Sequence, residues 1–300
     1  MKILAISLFA LLLVGCSDQD ASAPEQPLAE AAPPAVEASR PSLPDILNAQ
    51  PTEVKARYPY RHPEETLEFL GITPGMTVVE VLPSGGWYTK LLLPYLGAEG
   101  KLVGADYPRA IWPMFGSMSE EALSAKETWV VDWTAEAETW RTSGDAEVAG
   151  FVHGAMPESM RGTADAVLLI RALHNLSRFE SEGGFLTQTI RDSYLALKPG
   201  GVAGVVQHHA RDEMPDDWAN GSNGYLKKDF IIVQMEKAGF EYVDASDINA
   251  NPKDQPTESD FVWRLPPSLG TSGDNPELRA EMEAIGESNR MTLKFRKPVS

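Results

Sequence analysis

Cysteine is nearly absent from this chain of 300 residues, which contains one, Cys16. A single cysteine excludes an intramolecular disulfide and a thiolate metal site. A G-x-S-x-G nucleophile elbow is missing, which weakens a hydrolase interpretation. The G-x-G-x-x-G fingerprint of dinucleotide-binding folds is missing as well. The chemistry must therefore come from other side chains.

Positive charge is also scarce, since 26 basic residues stand against 43 acidic ones and the net charge is -17. The basic residues form no run or stripe along the sequence. Nucleic acid is therefore not an expected partner, because binding to phosphates depends on clustered positive charge. The acidic balance favours solubility and weakly favours a neutral or cationic ligand.

Long apolar runs are limited to the first residues, where Lys2 precedes an apolar stretch over 3–14. This stretch is too short for a membrane span and is typical of a signal peptide over 1–15. LVGC at 13–16 resembles a bacterial lipobox, which implies lipidation of Cys16. The alternative is a plain secretory signal with an incidental cysteine. Ser17 is not the aspartate associated with inner-membrane retention, so we expect an exported lipoprotein facing the periplasm, with the outer membrane favoured.

Residues 16–44 are rich in alanine, proline and glutamate and predict a disordered tether. The folded domain is expected over 45–300. Its best-defined stretch is 77–107, where an apolar strand with Glu80 is followed by the turn PSGG, a helix over 87–96, and a second strand over 101–105 that ends at Asp106. Such a βαβ unit binds its ligand beyond the carboxyl ends of the strands. Asp106 is then placed to accept hydrogen bonds from ribose hydroxyls.

The rest of the chain alternates between strand and helix patterns, which predicts an α/β fold. Strands are predicted over 146–152, 166–170, 202–206, 242–245 and 292–295. Helices are predicted over 42–48, 63–70, 182–197 and 226–238. The tryptophan-rich segment 109–140 is expected to be irregular and helical and to pack on the sheet, although an aromatic lid near 112–115 is the alternative. The polar loop 210–224 is a candidate lid.

Histidines gather at predicted strand ends, where four of the five lie: His153, His174, His208 and His209. In a doubly wound sheet those ends share one edge. His174 or His208, with a near-neutral pKa, could act as a general base. A metal site including Asp106 or Asp165 is less favoured, because adjacent histidines on a strand point to opposite faces. A purely structural role, capping strand-end carbonyls, remains open.

Several motifs resemble those of class I S-adenosylmethionine (SAM)-dependent methyltransferases. DAVLLIRA at 165–172 is similar to the family's fourth strand, LKPGG at 197–201 to the turn into its fifth, and MTLKFRKP at 291–298 to its closing strand. Together with HPEETLEFLGITPG, GGWYTKLL, ALHNL, LPPSLG and GESNR, they resemble a group of exported, predicted methyltransferases over about 55–300. The resemblance implies a Rossmann-like fold whose mostly parallel seven-stranded sheet carries helices on both faces.

The resemblance also implies SAM as cofactor and a small-molecule acceptor. It places Glu80, Gly85 and Gly86 at the methionine part, with Pro83 and Trp87 in the same cofactor-binding turn. It places Asp106 at the ribose and His153, where the family often has an acid, at the adenine. His174, Asn175 and His208 would face the acceptor.

Export conflicts with this activity, because SAM is made in the cytoplasm. A second hypothesis is therefore a periplasmic lipoprotein that retains the fold and binds a ligand or partner without catalysis. A histidine-based hydrolase or metalloenzyme is a third, weaker hypothesis. Contact with the membrane is expected through lipidated Cys16 only.

Overall fold

The structure, a computed structural model, describes residues 40–299. The expected signal peptide, Cys16 and most of the tether lie outside the described residues. The compact unit begins at Arg40, and Leu43 is already buried in the core, so the fold includes residues that the sequence pattern assigned to the tether. Within the described part, no helix has the length and apolar character needed to cross a membrane.

Seven strands, counted over residues 40–299, form one sheet. They are β1 (Thr77–Val81), β2 (Lys101–Asp106), β3 (Glu147–Val152), β4 (Ala164–Ile170), β5 (Leu197–His208), β6 (Glu241–Ser246) and β7 (Arg290–Arg296). Their order is β3-β2-β1-β4-β5-β7-β6. The first five pair in parallel, whereas β7 runs antiparallel to both β5 and β6. This confirms the Rossmann-like class I methyltransferase fold.

The first four helices precede β1, and the others lie between later strands. The helices are α1 (Leu43–Ala49), α2 (Thr52–Lys55), α3 (Tyr58–Arg61), α4 (Pro63–Leu70), α5 (Thr89–Leu96), α6 (Glu120–Ser124), α7 (Trp129–Trp140), α8 (Leu173–Arg178), α9 (Glu180–Gly183), α10 (Phe185–Ala196), α11 (Lys228–Lys237) and α12 (Pro276–Ile285). Short 3-10 helices cover Arg109–Phe115, Glu158–Met160 and Val262–Arg264.

Some predicted boundaries were wrong. The helix predicted over 87–96 starts only at Thr89, because residues 85–88 still belong to the turn. The helix predicted over 182–197 is divided by Gly184, whose φ of 64° ends α9. LKPGG is the beginning of β5 rather than a turn before it. Helices α2, α3, α8 and α12 were not predicted.

Central strands are buried on both faces, and their side chains alternate between two apolar cores. Val78 and Leu168 pack on one face with α1, α4 and α5. Val79 and Val167 pack on the other with α8, α10 and α11. Each such fully buried side chain contributes about 1.5–3 kcal/mol. The sheet is therefore a rigid base for the loops that follow its strands.

The carboxyl ends of β1, β4 and β5 lie at one edge, where the segment 249–268 forms part of the cover. A buried ion pair anchors this segment. Arg264 Nη2 donates to Asp254 Oδ1 at 2.7 Å, and the Tyr225 hydroxyl donates to Asp254 Oδ2 at 2.9 Å. Because all three side chains are buried or nearly so, the cover is held in one position over the strand ends.

Candidate functional site

The turn after β1 bends the chain sharply and leaves space above it. Leu82, Ser84 and Gly86 all have positive φ, at 55°, 49° and 74°. A Cβ atom on Gly86 would lie 2.3 Å from the Trp140 ring, so only glycine fits there. A Cβ on Gly85 would meet no atom within 4 Å. Gly85 thus keeps the backbone open to whatever binds above it.

A cavity of about 480 Å³ lies above this turn, within the size range of small-molecule sites. We call it the strand-end cavity. Among its lining residues are six that the sequence singled out: Glu80, Pro83, Gly85, Trp87, His174 and His208. Four arginines also line it: Arg171 after the end of β4, Arg57 and Arg61 from the region of α3, and Arg290 from β7.

Glu80 lies at the floor of the strand-end cavity and is buried. The Thr89 hydroxyl donates a 2.7 Å hydrogen bond to Glu80 Oε2. Burial raises the pKa of Glu80 to about 8, and the hydrogen bonds from Thr89 offset only part of this effect. Glu80 is therefore mostly protonated at pH 7 and ready to ionise when a cation approaches.

His174 and His208 have ring centroids 5.3 Å apart. The His174 Nδ1 lies 3.3 Å from the Gln207 amide nitrogen, and the His208 Nδ1 lies 2.6 Å from the Ser288 hydroxyl. Burial lowers the pKa of His174 to about 4. Burial, and then the neighbouring His174, lower the pKa of His208 well below its usual value. The expectation of a near-neutral pKa was wrong, because both rings are shielded from water near several arginines.

Four arginines surround one carboxylate at the side of the strand-end cavity. Arg57 Nε donates to Glu287 Oε1 at 2.6 Å, Arg61 Nε lies 3.4 Å from Glu287 Oε2, and Arg290 pairs with the same carboxylate. Burial opposes ionisation of Glu287, but the three arginines outweigh it and lower its pKa to about 2. Arg171 is the fourth, so positive charge exceeds negative charge here.

Sequence reasoning missed this cluster and took the basic residues to be scattered. They are separated by up to 233 positions in the chain and meet only because α3 and β7 both reach the ends of β4 and β5. The available signals were the helical spacing of Arg57 and Arg61 and the position of Arg171 directly after the β4 strand pattern. The acidic overall charge therefore says little about the charge of the ligand.

Asp106 ends β2 as predicted but does not line the strand-end cavity. Its Oδ2 accepts a 3.0 Å ion-pair hydrogen bond from Lys126 Nζ. The same ammonium lies 3.5 Å from the centroid of the Trp112 ring, and Trp112 stacks on Tyr107 at 5.5 Å. Asp106 Oδ1 is buried and, among the described residues, has no hydrogen-bond partner. Burial raises the Asp106 pKa, and Lys126 offsets part of the increase.

The remaining predicted residues are also outside the strand-end cavity. His153 follows β3 with a buried ring, its Nδ1 3.6 Å from Asp192 Oδ2. Asn175 lies on α8 beside the Tyr107 hydroxyl, and Gly86 contacts Trp140 instead. His209 is half-buried and does not line the strand-end cavity. The shared edge expected for the histidines therefore brings together only His174 and His208.

Metal ligands do not assemble at this edge. Over residues 40–299 there is no group of three or more histidine, cysteine, aspartate or glutamate side chains that could hold an ion.

Comparisons with known proteins give structural likeness only. No protein-family model matches the chain, and no curated protein sequence matches it. A SAM-dependent methyltransferase from Aquifex aeolicus has 19% identity and a TM-score of 0.44, covering 67% of this chain and 93% of its own. One from Mesorhizobium loti has 14% identity and a TM-score of 0.42, covering 84% and 100%. The cyclase SpnF has 17% identity and a TM-score of 0.48, covering 80% and 81%. These similarities concern the fold and assign no role to a residue.

Proposed function

We propose that the protein transfers a methyl group from SAM to a small-molecule acceptor bound in the strand-end cavity. The proposal rests on two features of the adjacent strands β1 and β2. An open glycine turn follows β1, and a buried acid lies at or near the end of each strand. Glu80 lies below the turn after β1, and Asp106 ends β2 with an oxygen that has no partner among the described residues.

These residues fit the cofactor. Glu80 gains a cationic partner if it faces the ammonium group of the cofactor's methionine part. Gly85 leaves room for the amino and carboxylate groups of that part. The partnerless Asp106 Oδ1 suits a ribose hydroxyl donor, and the second hydroxyl can take the place of Lys126 on Oδ2. The buried His153 Nε2 also has no partner among the described residues. The backbone of His153 lies next to that of Asp106, since His153 N donates to Asp106 O at 2.9 Å.

SAM, when bound, supplies an electrophilic methyl group on a sulfonium. The protein then has to align a nucleophilic oxygen or nitrogen with that carbon, and alignment accounts for much of the catalysis in such transfers. His174 and His208 are neutral at pH 7 and can accept a hydrogen bond from the acceptor's O–H or N–H. This contact orients the nucleophile's lone pair. Their low pKa values make them weak proton acceptors, so orientation is their main contribution. The proton that the nucleophile loses on methylation would then pass to solvent, and S-adenosylhomocysteine would be the leaving group.

Calorimetric titration of SAM and S-adenosylhomocysteine into the purified protein tests the proposal. We expect micromolar binding, equivalent to about -8 kcal/mol, and its loss in Asp106→Asn. Asp229→Asn, at an exposed position of α11, is the matched control and should bind normally. If neither compound gives heat or a thermal shift at millimolar concentration, the methyltransferase proposal is wrong and only the fold remains.

A non-catalytic binding protein is the second candidate, and the Lys126–Asp106 ion pair favours it. A retained fold that no longer binds SAM would be free to fill the ribose position with its own side chain. In that case Asp106→Asn should leave ligand binding in the strand-end cavity unchanged. The two candidates are therefore separated by S-adenosylhomocysteine binding to the wild type, which the first requires and the second excludes.

We also propose that the protein is exported and anchored through lipidated Cys16, on the basis of the leader sequence alone. SAM must then reach the periplasm for the enzyme to act. Radiolabelled palmitate should be incorporated into the wild-type protein but not into Cys16→Ser, and globomycin, which blocks signal-peptide removal from lipidated precursors, should make a larger labelled precursor accumulate in the wild type. Absence of the label from the wild type would contradict the anchor.

A further inference from the structure

Positive charge in the strand-end cavity is only partly neutralised. Arg57, Arg61 and Arg290 all engage the Glu287 carboxylate. Arg290 also donates to the Tyr60 carbonyl at 3.0 Å. These three guanidiniums therefore have a protein partner, and one carboxylate for three cations leaves an excess of positive charge at this wall. Glu80 does not cancel it at pH 7, because burial keeps that carboxyl mostly protonated.

Arg171 has no such partner. Among residues 40–299, no hydrogen bond or ion pair engages its guanidinium, which lines the strand-end cavity. The Arg171 side chain is largely, though not fully, shielded from water. Burial and then repulsion from Arg61 and Arg290 lower its pKa to about 9, and Glu287 opposes part of this effect. A shielded and unpaired cation is costly to the fold. The Glu287 carboxylate offsets only part of that cost, because it is already paired with three other arginines. This indicates that the direct partner of Arg171 comes from a ligand.

The backbone at Arg171 is strained as well. Its φ is 56°, a region that residues other than glycine seldom occupy. Five non-glycine residues of the described chain have positive φ, and three of them, Leu82, Ser84 and Arg171, line this one cavity. Strain of about 1–3 kcal/mol per residue persists where function requires a set geometry. This backbone conformation directly after β4 accompanies the position of the Arg171 side chain at the wall of the strand-end cavity.

The cavity also has an apolar wall. Val262, Trp263, Leu265, Pro266 and Pro267 line it. The buried Asp254–Arg264 pair holds this segment in place. A ligand that fills the cavity therefore meets guanidinium groups in one part and apolar surface in another.

We propose that the acceptor is an organic anion, whose carboxylate or phosphate pairs with Arg171 while its apolar body packs on the wall formed by residues 262–267. Guanidinium forks bind both kinds of anion through two parallel hydrogen bonds. Describing this anion as the acceptor rests on the proposed methyl transfer. The anion site itself does not, because its charge and shape are independent of Asp106 and the cofactor.

Matched aromatic probes test the site in the purified full-length protein. Benzoate and phenyl phosphate carry the two candidate head groups on the same apolar ring, and benzyl alcohol is the neutral control. We expect at least one of the two anions to bind at least tenfold more tightly than benzyl alcohol by calorimetry. The tighter of the two identifies the head group. Equal binding of all three, or no binding of either anion, would overturn the inference.

Variants separate recognition by Arg171 from general charge. Arg171→Gln should weaken binding of the preferred anion at least tenfold, and Arg171→Lys should retain part of it. Arg296→Gln, which removes an exposed arginine paired with Glu241, should bind normally. Because Arg171→Gln removes an unpaired shielded cation, its melting temperature should equal or exceed that of the wild type. A large fall in melting temperature would identify Arg171 as structural and contradict the proposal.

Competition with S-adenosylhomocysteine decides between acceptor and cofactor. If the arginines hold an acceptor, the anion and S-adenosylhomocysteine bind together, and each keeps its affinity when the other is saturating. Mutual exclusion would show that Arg171 holds the methionine carboxylate and would overturn the acceptor assignment. If an anion binds but S-adenosylhomocysteine does not, the anion site is retained and methyl transfer is rejected. If S-adenosylhomocysteine binds but neither anion does, only the anion site is rejected.

Discussion

Glu80 and Thr89, nine residues apart, are joined by a 2.7 Å hydrogen bond that closes the turn between β1 and α5. The bond fixes the floor of the strand-end cavity to the helix that follows it. It links the buried carboxyl group of Glu80 to the first residue of α5, and Gly85 lies in the turn between them. The charge state of that carboxyl group depends on its surroundings. Stability and ligand binding should therefore both report on Glu80.

The first prediction concerns the stability of the free protein. The Glu80 pKa is about 8 in the fold and 4.5 in the unfolded chain, so its contribution to stability is complete below pH 4.5 and is lost as the pH rises towards 8. Glu80→Gln does not titrate, and its unfolding free energy relative to wild type should increase between pH 5 and 8, by on the order of 1 kcal/mol per pH unit. Urea unfolding at three pH values measures this. The exposed Glu147→Gln is the control, and parallel profiles for Glu80→Gln and wild type would contradict the prediction.

The second prediction concerns proton release on binding. The amino-acid ammonium of S-adenosylhomocysteine, placed beside Glu80, favours the ionised carboxylate. Binding at pH 7 should therefore release up to about one proton. Calorimetry in two buffers with different ionisation heats measures the number released. Glu80→Gln should abolish the buffer dependence, and a buffer-independent heat in the wild type would argue against contact between Glu80 and the ammonium.

The third prediction uses the open space above Gly85. A Cβ there meets no protein atom within 4 Å, and the backbone does not have positive φ, so Gly85→Ala should melt at the wild-type temperature. The added methyl group occupies the approach to the turn and should weaken S-adenosylhomocysteine binding by about tenfold or more, roughly 1.4 kcal/mol. Unchanged affinity in a folded Gly85→Ala protein would show that no ligand approaches this turn.

The fourth prediction concerns the ion pair on Asp106. If ribose hydroxyls replace the Lys126 ammonium, Lys126→Met should bind S-adenosylhomocysteine more tightly than wild type, because no ion pair has to be broken. Isothermal titration measures the change, and Lys237→Met, at an exposed position of α11, is the control. Weaker binding in Lys126→Met than in Lys237→Met would show that Lys126 supports the cofactor site.

The fifth prediction concerns acid stability. The His174 pKa is about 4 in the fold and 6.5 in the unfolded chain, so its contribution to stability is complete above pH 6.5 and is lost as the pH falls to 4. His174→Gln should lose less stability than wild type over this range, by up to about 3 kcal/mol. Denaturant unfolding at pH 7, 5.5 and 4.5 measures this. His62→Gln, at a ring outside the strand-end cavity, should follow the wild type.

Much of the sheet could be predicted because its signals are local. The apolar runs that became β1, β2 and β4, the PSGG turn, and Asp106 at the end of β2 all depend on residues close in sequence. The same local signals placed Glu80, Gly85, His174 and His208 near one edge. Helix boundaries failed where a turn residue such as Gly184 interrupted a longer pattern.

The sequence by itself determined the fold class and the strand-end positions of the candidate residues, since periodicity and turn chemistry act over a few residues. Only the tertiary structure decided the charge and the extent of the site. It brought Arg61, Arg171 and Arg290 together from three separate elements, placed Lys126 on Asp106, and kept His153 out of the cavity. It also decided the protonation of Glu80 and His174, because a pKa depends on burial and on neighbouring charges that are distant in the chain.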